Sequence, residues 1–348
     1  MANPGAYGSA LEKHVFQAQA SSSQQDMEAI DRPFSKTQLQ AFARRHFEVQ
    51  ELTAPDMGFE VDPWDGKKSK AIYDNKGKLL AVLAGQPEDP GYVKAAEEAH
   101  LLMMEQGEAL RRVNNGKGKS KNRRGEYDSL GCGLTHGHGT REPVNLKVQE
   151  NHRPLLGRLL ADGNMQRLVG NASAVLNAWA PEFYCLVEET VKKVREKDSR
   201  MQKPFDRSVY PACHFNLGPD AWCYIHRDSM NVTTGYCAVQ ALGRYDPKKG
   251  GHLVLWDLKM AVEFPPGSTI LIMSSLLFHS SLAVGPGEER SVVTQFCPEG
   301  LVRYVESGMK TDKELCEGKT PEEKKEMLES LRKERKESRL NMVPRKEL

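Results

Sequence analysis

After residue 205 the chain breaks into short apolar runs separated by glycine and proline. The runs are YCAVQALG, HLVLWDL, STILIMSS and SVVTQFC, with turn signals at 246–251, 265–267 and 285–289. Runs of this length, bounded in this way, read as strands. They define a β-rich region over 205–308, and any fold for the chain has to be built around it.

What precedes this region is mostly helical in pattern. Residues 1–32, rich in Ala, Ser and Gln and without a sustained period, are expected to be disordered. Residues 33–113 read as N-terminal helices and a hairpin. Ser35 caps a helix through KTQLQAFARRHFEVQEL, with Leu39, Phe42 and Phe47 near one face. The runs at 71–85 flank Asn75-Lys76-Gly77, a hairpin signal, and 91–113 has a helical period. Residues 114–140 read as a basic, glycine-rich loop. Arg111, Arg112, Lys117, Lys119, Lys121, Arg123 and Arg124 carry its charge, and GCGLTHGHGT follows. Residues 141–204 read as helical support. Residues 309–348 read as a charged helix and tail, the helix opened by the capping box Thr320-Pro321-Glu322-Glu323 and running to about Arg339. The expected class is therefore α+β: a distorted double-stranded β-helix of the jelly-roll or cupin type, buttressed by helices.

Charge and cysteine usage narrow the function. Lys and Arg total 49 against 47 Asp and Glu, a net +2. That excludes a uniformly basic nucleic-acid coat and leaves room for a local basic patch. No apolar run reaches about 18 residues, so no membrane helix is expected, and the N-terminus lacks the order of a secretory signal. Seven cysteines, odd in number and without a CxxC pair, argue for a reducing intracellular setting and against a disulfide scaffold.

The chemistry lies in Ile225-His226-Arg227-Asp228. In an extended segment residues two apart share a face, so His226 and Asp228 can grip one metal ion while Arg227 turns away. His279 stands beyond the run STILIMSS. Two histidines and one carboxylate make the facial triad of non-haem Fe(II) oxygenases, which leaves open positions on the metal. Arg290, eleven residues past His279, suits a bidentate grip on a carboxylate. The alternative reading is a structural His–Asp pair with a solvated arginine. His46-Phe47-Glu48 is also H-x-E, but in a helical pattern residues two apart point roughly 200° apart. His136 and His138 suggest a metal clip more weakly than they suggest a loop beside DNA backbone. His252 reads as a core histidine, His214 lacks further ligand spacing, and Trp222, Trp256 and Tyr236 read as core.

HRDSMN at 226–231, GYCAVQALGRYDPKKGGHLVLWDL at 235–258, PPGSTILIMSS at 265–275 and EERSVVTQF at 288–296 resemble the ten-eleven translocation/J-binding protein (TET/JBP) family. The likeness is greatest to its fungal, transposon-associated members, and RRGEYDSLGCGLTHG upstream is similar to the fungal pattern. It covers about residues 120–310. The resemblance implies a dioxygenase that oxidises the methyl group of a methylated DNA base with Fe(II), 2-oxoglutarate and O₂. It implies His226, Asp228 and His279 as iron ligands, Arg290 as the 2-oxoglutarate anchor, and Asn231 as a contact to a flipped base. A carboxamide can both donate and accept there. Asn216 resembles the asparagine that touches 2-oxoglutarate in AlkB-type oxygenases. Two positions depart from the family pattern, Val292 for a hydroxyl residue and Pro298 for a base-contacting histidine, so 5-methylcytosine and N6-methyladenine both stand as substrates.

On this reading Lys117, Lys119, Lys121, Arg123 and Arg124 are phosphate contacts to double-stranded DNA. A monomer in the nucleus is expected, with no membrane partner. Two other readings stand beside it: a 2-oxoglutarate oxygenase of a protein side chain, and a catalytically silent DNA-binding relic.

Overall fold

The computed structural model describes residues 33–114, 124–137 and 139–346, with the backbone of two short strands at 17–18 and 121–122. In chain order the strands are β1 (Gln17–Ala18), β2 (Glu60–Asp62), β3 (Lys70–Asp74), β4 (Leu79–Gly85), β5 (Lys121–Asn122), β6 (Gly125–Glu126), β7 (Asp128–Thr135) and β8 (Val144–Asn145). They continue with β9 (Ala212–Leu217), β10 (Cys237–Arg244), β11 (Leu253–Leu255), β12 (Met260–Val262), β13 (Thr269–Ile272), β14 (His279–Ser281) and β15 (Glu289–Phe296). The helices are α1 (Lys36–Phe42), α2 (Val49–Thr53), α3 (Pro90–Val113), α4 (Arg153–Ala161), α5 (Gly163–Trp179) and α6 (Pro181–Lys197). Near the C-terminus lie α7 (Glu299–Glu306), α8 (Asp312–Leu315) and α9 (Pro321–Asn341).

From β9 onward the chain alternates between two sheets, which is the double-stranded β-helix. The major sheet runs β1-β3-β4-β13-β10-β15-β9-β7-β8 and the minor sheet β14-β11-β12-β2. An antiparallel bridge between His226 and His279 adds the segment after β9 to the edge of the minor sheet. The active cavity opens between the two layers.

The core is wider than 205–308. The 70–85 hairpin extends the major sheet by pairing β4 with β13, and β7 extends it beyond β9. β7 corrects the reading of 114–140 as loop, since GCGLT is a strand of this sheet. Its inward positions are Ser129, Gly131, Gly133 and Thr135, while Leu130, Cys132 and Leu134 face apolar clusters. A Cβ at Gly131 would run into the cavity residue His214, and one at Gly133 into the backbone of Pro211 and Ala212.

Helices cover the outer face of the major sheet. Tyr92, Ala99 and Met103 of α3 and Met165, Leu168 and Val169 of α5 pack on Leu130, Phe215, Leu242 and Val293. Residues 33–59 cover the minor sheet instead, through Trp256. The rings of Phe34, Phe42, Phe47 and Phe59 lie with centroids 5.1–5.7 Å from Trp256. This explains why the expected single helix over 36–52 is broken. Phe42 and Phe47 are five residues apart, about 140° on a continuous helix, and could not both face one indole. The chain leaves the helix at Ala43, with Arg44 at φ 63°, and α2 starts at Val49. His46 and Glu48 therefore lie in this connection rather than on a helix.

At the C-terminus α9 begins at the Thr320 capping box. Arg339 is buried near its end and pairs with Glu299 and Glu306 of α7. No helix among the described residues is long and apolar enough to cross a membrane. The expectation of disorder for 1–32 falls on residues almost wholly outside those described.

Candidate active site

His226 and His279 exchange both backbone hydrogen bonds of their bridge, at 3.0 and 2.9 Å. Their rings meet inside the barrel with centroids 4.3 Å apart. Each ring points Nδ1 at the carbonyl two residues earlier, His226 to Tyr224 at 2.8 Å and His279 to Leu277 at 2.9 Å. A carbonyl only accepts, so each Nδ1 carries the hydrogen and each Nε2 keeps its lone pair. The Asp228 backbone N–H donates to Ser274 O at 2.9 Å, which holds the carboxylate beside the rings. His226 Nε2 and Asp228 Oδ1 are 3.7 Å apart. The donor atoms of His226, Asp228 and His279 all lie within 4.8 Å of one another, and no other such group occurs among the described residues.

The electrostatics prepare these groups as ligands. Burial, reinforced by the field of His279, pushes the His226 imidazole down to about 3, so it is neutral at physiological pH. Burial pushes the Asp228 carboxyl up, but His279, Arg124, His226 and the Ser274 hydroxyl together hold it below the usual carboxylate value. Apart from an ion pair with Arg124 Nη2 at 2.7 Å, Asp228 Oδ1 is buried without a hydrogen-bond partner. Two fixed imidazole nitrogens and one carboxylate on one wall of a cavity fit Fe(II) with open positions. Arg227 turns away, with its guanidinium 4.6 Å from the Phe278 ring centre.

The same cavity, about 420 Å³, reaches Arg290. Alternation along β15 aims Arg290, Val292, Thr294 and Phe296 inward. Ser291 faces the other way and bonds His100, and Gln295 bonds Ser208. Arg290 is 2% exposed, donates to the Ala221 carbonyl, and leaves Nε unpaired. A buried guanidinium with a spare N–H beside a cavity can receive a carboxylate, since an anion there offsets its desolvation. Asn216 on β9 pairs with Val292 and lines the same wall.

Asn231 also lines the cavity, anchored from behind. Its Nδ2 donates to Cys237 Sγ at 3.2 Å and reaches Ser274 Oγ at 3.5 Å. The largest revision concerns Arg124. Its side chain lines the cavity and pairs with Asp228, a placement that the basic run did not suggest. Lys117, Lys119 and Arg123 lie outside the described residues, as does the side chain of Lys121. His138 does too, so the weaker metal-clip reading falls outside the described residues; His136 is buried, with its Nδ1 3.1 Å from Gly300 O.

His214, Tyr127, Ser129, Thr294 and Phe296 are cavity residues that motif reading missed. The His214 ring lies over Gly131, where a Cβ would sit 2.6 Å from Nε2, and meets Phe296 edge-on at 5.4 Å. Burial lowers the His214 pKa and keeps it neutral. Burial likewise raises Tyr127 well above the usual phenol value, so it stays a phenol close to both Asp228 and Arg290. The one available signal was period-two alternation through Tyr127 and Ser129. Trp256 and Tyr236 are core as expected, whereas Trp222 lines the cavity.

No family model matches the chain, and no curated protein matches it. Among solved structures, it is similar to NgTET1 in complex with 5mC DNA. That likeness has 15% identity, covers 77% of this chain and 92% of that one, and has a TM-score of 0.44. It is also similar to a 2OG-Fe(II) oxygenase family oxidoreductase from Burkholderia pseudomallei. There the identity is 17%, the coverage 55% and 81%, and the TM-score 0.27. A Pseudomonas putida prolyl-4-hydroxylase is similar at 16% identity over 58% and 88%, with a TM-score of 0.28. The fold assignment rests on the strand order described above.

Proposed function

We propose that this chain is an Fe(II)- and 2-oxoglutarate-dependent dioxygenase that oxidises the methyl group of a methylated base in double-stranded DNA. One observation carries the oxygenase reading: the open side of the His226–Asp228–His279 set and the buried Arg290 guanidinium share a single cavity. A dicarboxylate that grips Arg290 at one end reaches toward the triad at the other. Iron and 2-oxoglutarate, when bound, supply the oxidising power. The chain's own groups do the rest. His226, Asp228 and His279 fix the coordination geometry, and Arg290 orients the co-substrate. Val239, Leu253 and Val292 make part of the wall apolar.

The base-directed half rests on the TET/JBP-like barrel motifs and on Asn231, His214 and Phe296 at the cavity wall. An amide, a neutral imidazole and an aromatic edge suit a flipped base. A hydroxymethyl group on N6 of adenine is a hemiaminal and leaves as formaldehyde, whereas on C5 of cytosine it persists. The substrate thus decides between demethylation and stepwise oxidation. A nuclear monomer acting on duplex DNA completes the reading.

The test is nucleoside mass spectrometry after incubation of 5-methylcytosine and N6-methyladenine duplexes with Fe(II), 2-oxoglutarate and O₂. Loss of the methylated nucleoside, matched by succinate, is expected. Succinate formed with peptides but never with DNA would overturn the base-directed half.

A further inference from the structure

One wall of the cavity, made by Met230, Asn231 and Pro298, is joined by few bonds of its own. Met230 O accepts from the Glu299 N–H at 2.9 Å, and the Val232 N–H donates to Cys297 O at 3.1 Å. Asn231 and Pro298 make a single antiparallel bridge between them. Two segments paired so briefly need support from outside. It comes from the end of α9. The buried Arg339 guanidinium grips Glu306 bidentately, Nη1 to Oε1 at 2.6 Å and Nη2 to Oε2 at 2.9 Å, and Nη2 also lies 3.3 Å from Glu299 Oε1. Glu299 and Glu306 are the first and last residues of α7, so one guanidinium ties down both ends of the helix that follows Pro298. The Arg339 carbonyl accepts from the hydroxyl of Thr234, also buried, at 3.1 Å. Arg339 thus holds 230–234 through its backbone and 297–299 through its side chain. Arg335 also reaches Glu306, at 3.5 Å, so losing Arg339 falls mainly on Glu299, whose N–H holds Met230. That carboxylate would be left beside Glu306 without the cation that offsets its burial.

We propose that Arg339 is a clamp that positions the substrate side of the cavity and leaves the metal and co-substrate side alone. Arg290 stands at the opposite end of β15 from Pro298, and there the β10–β15 ladder holds it, opposite Gly243. The clamp therefore acts on how the oxidised substrate binds, which rests on the proposed function for what that substrate is. Arg339 and Thr234 touch neither substrate nor cofactor and are positioning residues. α9 lies beyond the 120–310 stretch that carries the family resemblance, so the clamp belongs to this chain's own C-terminal helix.

Hydrogen exchange of the full-length protein, without metal or DNA, tests the clamp directly. Arg339→Met keeps the stem and removes the charge, and the milder Thr234→Val keeps the shape and removes the hydroxyl. In Arg339→Met, peptides over 229–235 and 297–302 should exchange about ten-fold faster while those over β10 and β13 keep wild-type rates. Thr234→Val should speed 229–235 by less. Wild-type rates at 229–235 in both variants overturn the proposal. Faster exchange throughout the sheet in Arg339→Met would be a general loss of stability, and Thr234→Val then decides alone. Turnover of methylated duplexes gives a second readout that stability by itself would not move. The KM for duplex should rise by roughly ten-fold in Arg339→Met while the KM for 2-oxoglutarate stays within about two-fold. Arg339→Lys keeps the charge without the fork and should fall between. Equal rises in both KM values, or a rise in neither, overturn the proposal. If wild type turns over no methylated duplex, the base-directed reading fails, and the exchange rates alone decide the clamp.

Discussion

Arg290→Lys isolates the co-substrate claim. Arg290 is 2% exposed, spends one N–H on the Ala221 carbonyl and leaves Nε unpaired beside the cavity. A carboxylate bound there accepts two charge-assisted hydrogen bonds from the planar fork. Lysine keeps the charge but not the fork, and losing one such bond costs about 2 kcal/mol, roughly 30-fold in affinity. Mass action turns this into a thermal shift. At a 2-oxoglutarate concentration of about 100 times the wild-type Kd, binding stabilises by about 2.7 kcal/mol. For the variant the same concentration is about three times its Kd and gives about 0.9 kcal/mol. At about 2 °C per kcal/mol for a chain of this size, the Tm rises by about 5 °C in wild type and about 2 °C in the variant. Anaerobic thermal melts with Fe(II), with and without 2-oxoglutarate, read this directly, and the KM for 2-oxoglutarate should rise in parallel. Equal shifts in the two proteins would refute the assignment and move the carboxylate elsewhere, Arg124 being the first place to look.

Further outcomes are expected at other positions. His226→Ala or Asp228→Ala should lose Fe(II) binding by anaerobic equilibrium dialysis while circular dichroism stays native, because each removes a ligand from the wall and not from the core. Trp256→Ala should destabilise by about 3–5 kcal/mol in denaturant unfolding; a loss under 1 kcal/mol would mean that residues 33–59 do not hold the minor sheet. Burial, helped by the Arg290 charge, pushes His252 down to about 4, so the unfolded chain takes up a proton below about 6.5 that the folded one refuses until about 4. Stability should therefore fall with pH across that window, by up to about 1.4 kcal/mol per unit from this group, and His252→Leu should flatten the slope. Replacing Lys117, Lys119, Lys121 and Arg123 together should shallow the log–log salt dependence of duplex binding by about 0.9 per lost phosphate contact. Arg124→Gln should leave that slope alone and tighten Fe(II) binding, since it removes a cation from beside Asp228; the opposite pattern would return Arg124 to the DNA surface.

What was legible in the sequence divides along a physical line. The strands after residue 205 could be read because glycine and proline turns bound them, and the triad because same-face spacing on an extended segment is a local property. Arg290 was legible for the same reason, as alternation along one strand settles which residues point inward. Roles that depend on contacts between distant segments were not. The break after Phe42 follows from an indole more than 200 residues later. Arg124 looks like one charge in a basic run until the fold brings Asp228 to it. The GCG stretch reads as a loop because glycine carries no side chain to show a strand's alternation. Yet that lack of side chain is why it is there, since a Cβ at Gly131 would sit 2.6 Å from His214 Nε2. The orientation of the Asn231 amide is the extreme case. Taken alone, a carboxamide donates and accepts equally well, and no spacing within HRDSMN decides between the two. In the fold its Nδ2 meets Cys237 Sγ and Ser274 Oγ, six and 43 residues away. The motif therefore names Asn231 and Asp228, while the side chains behind Asn231 come from two residues that no motif marks.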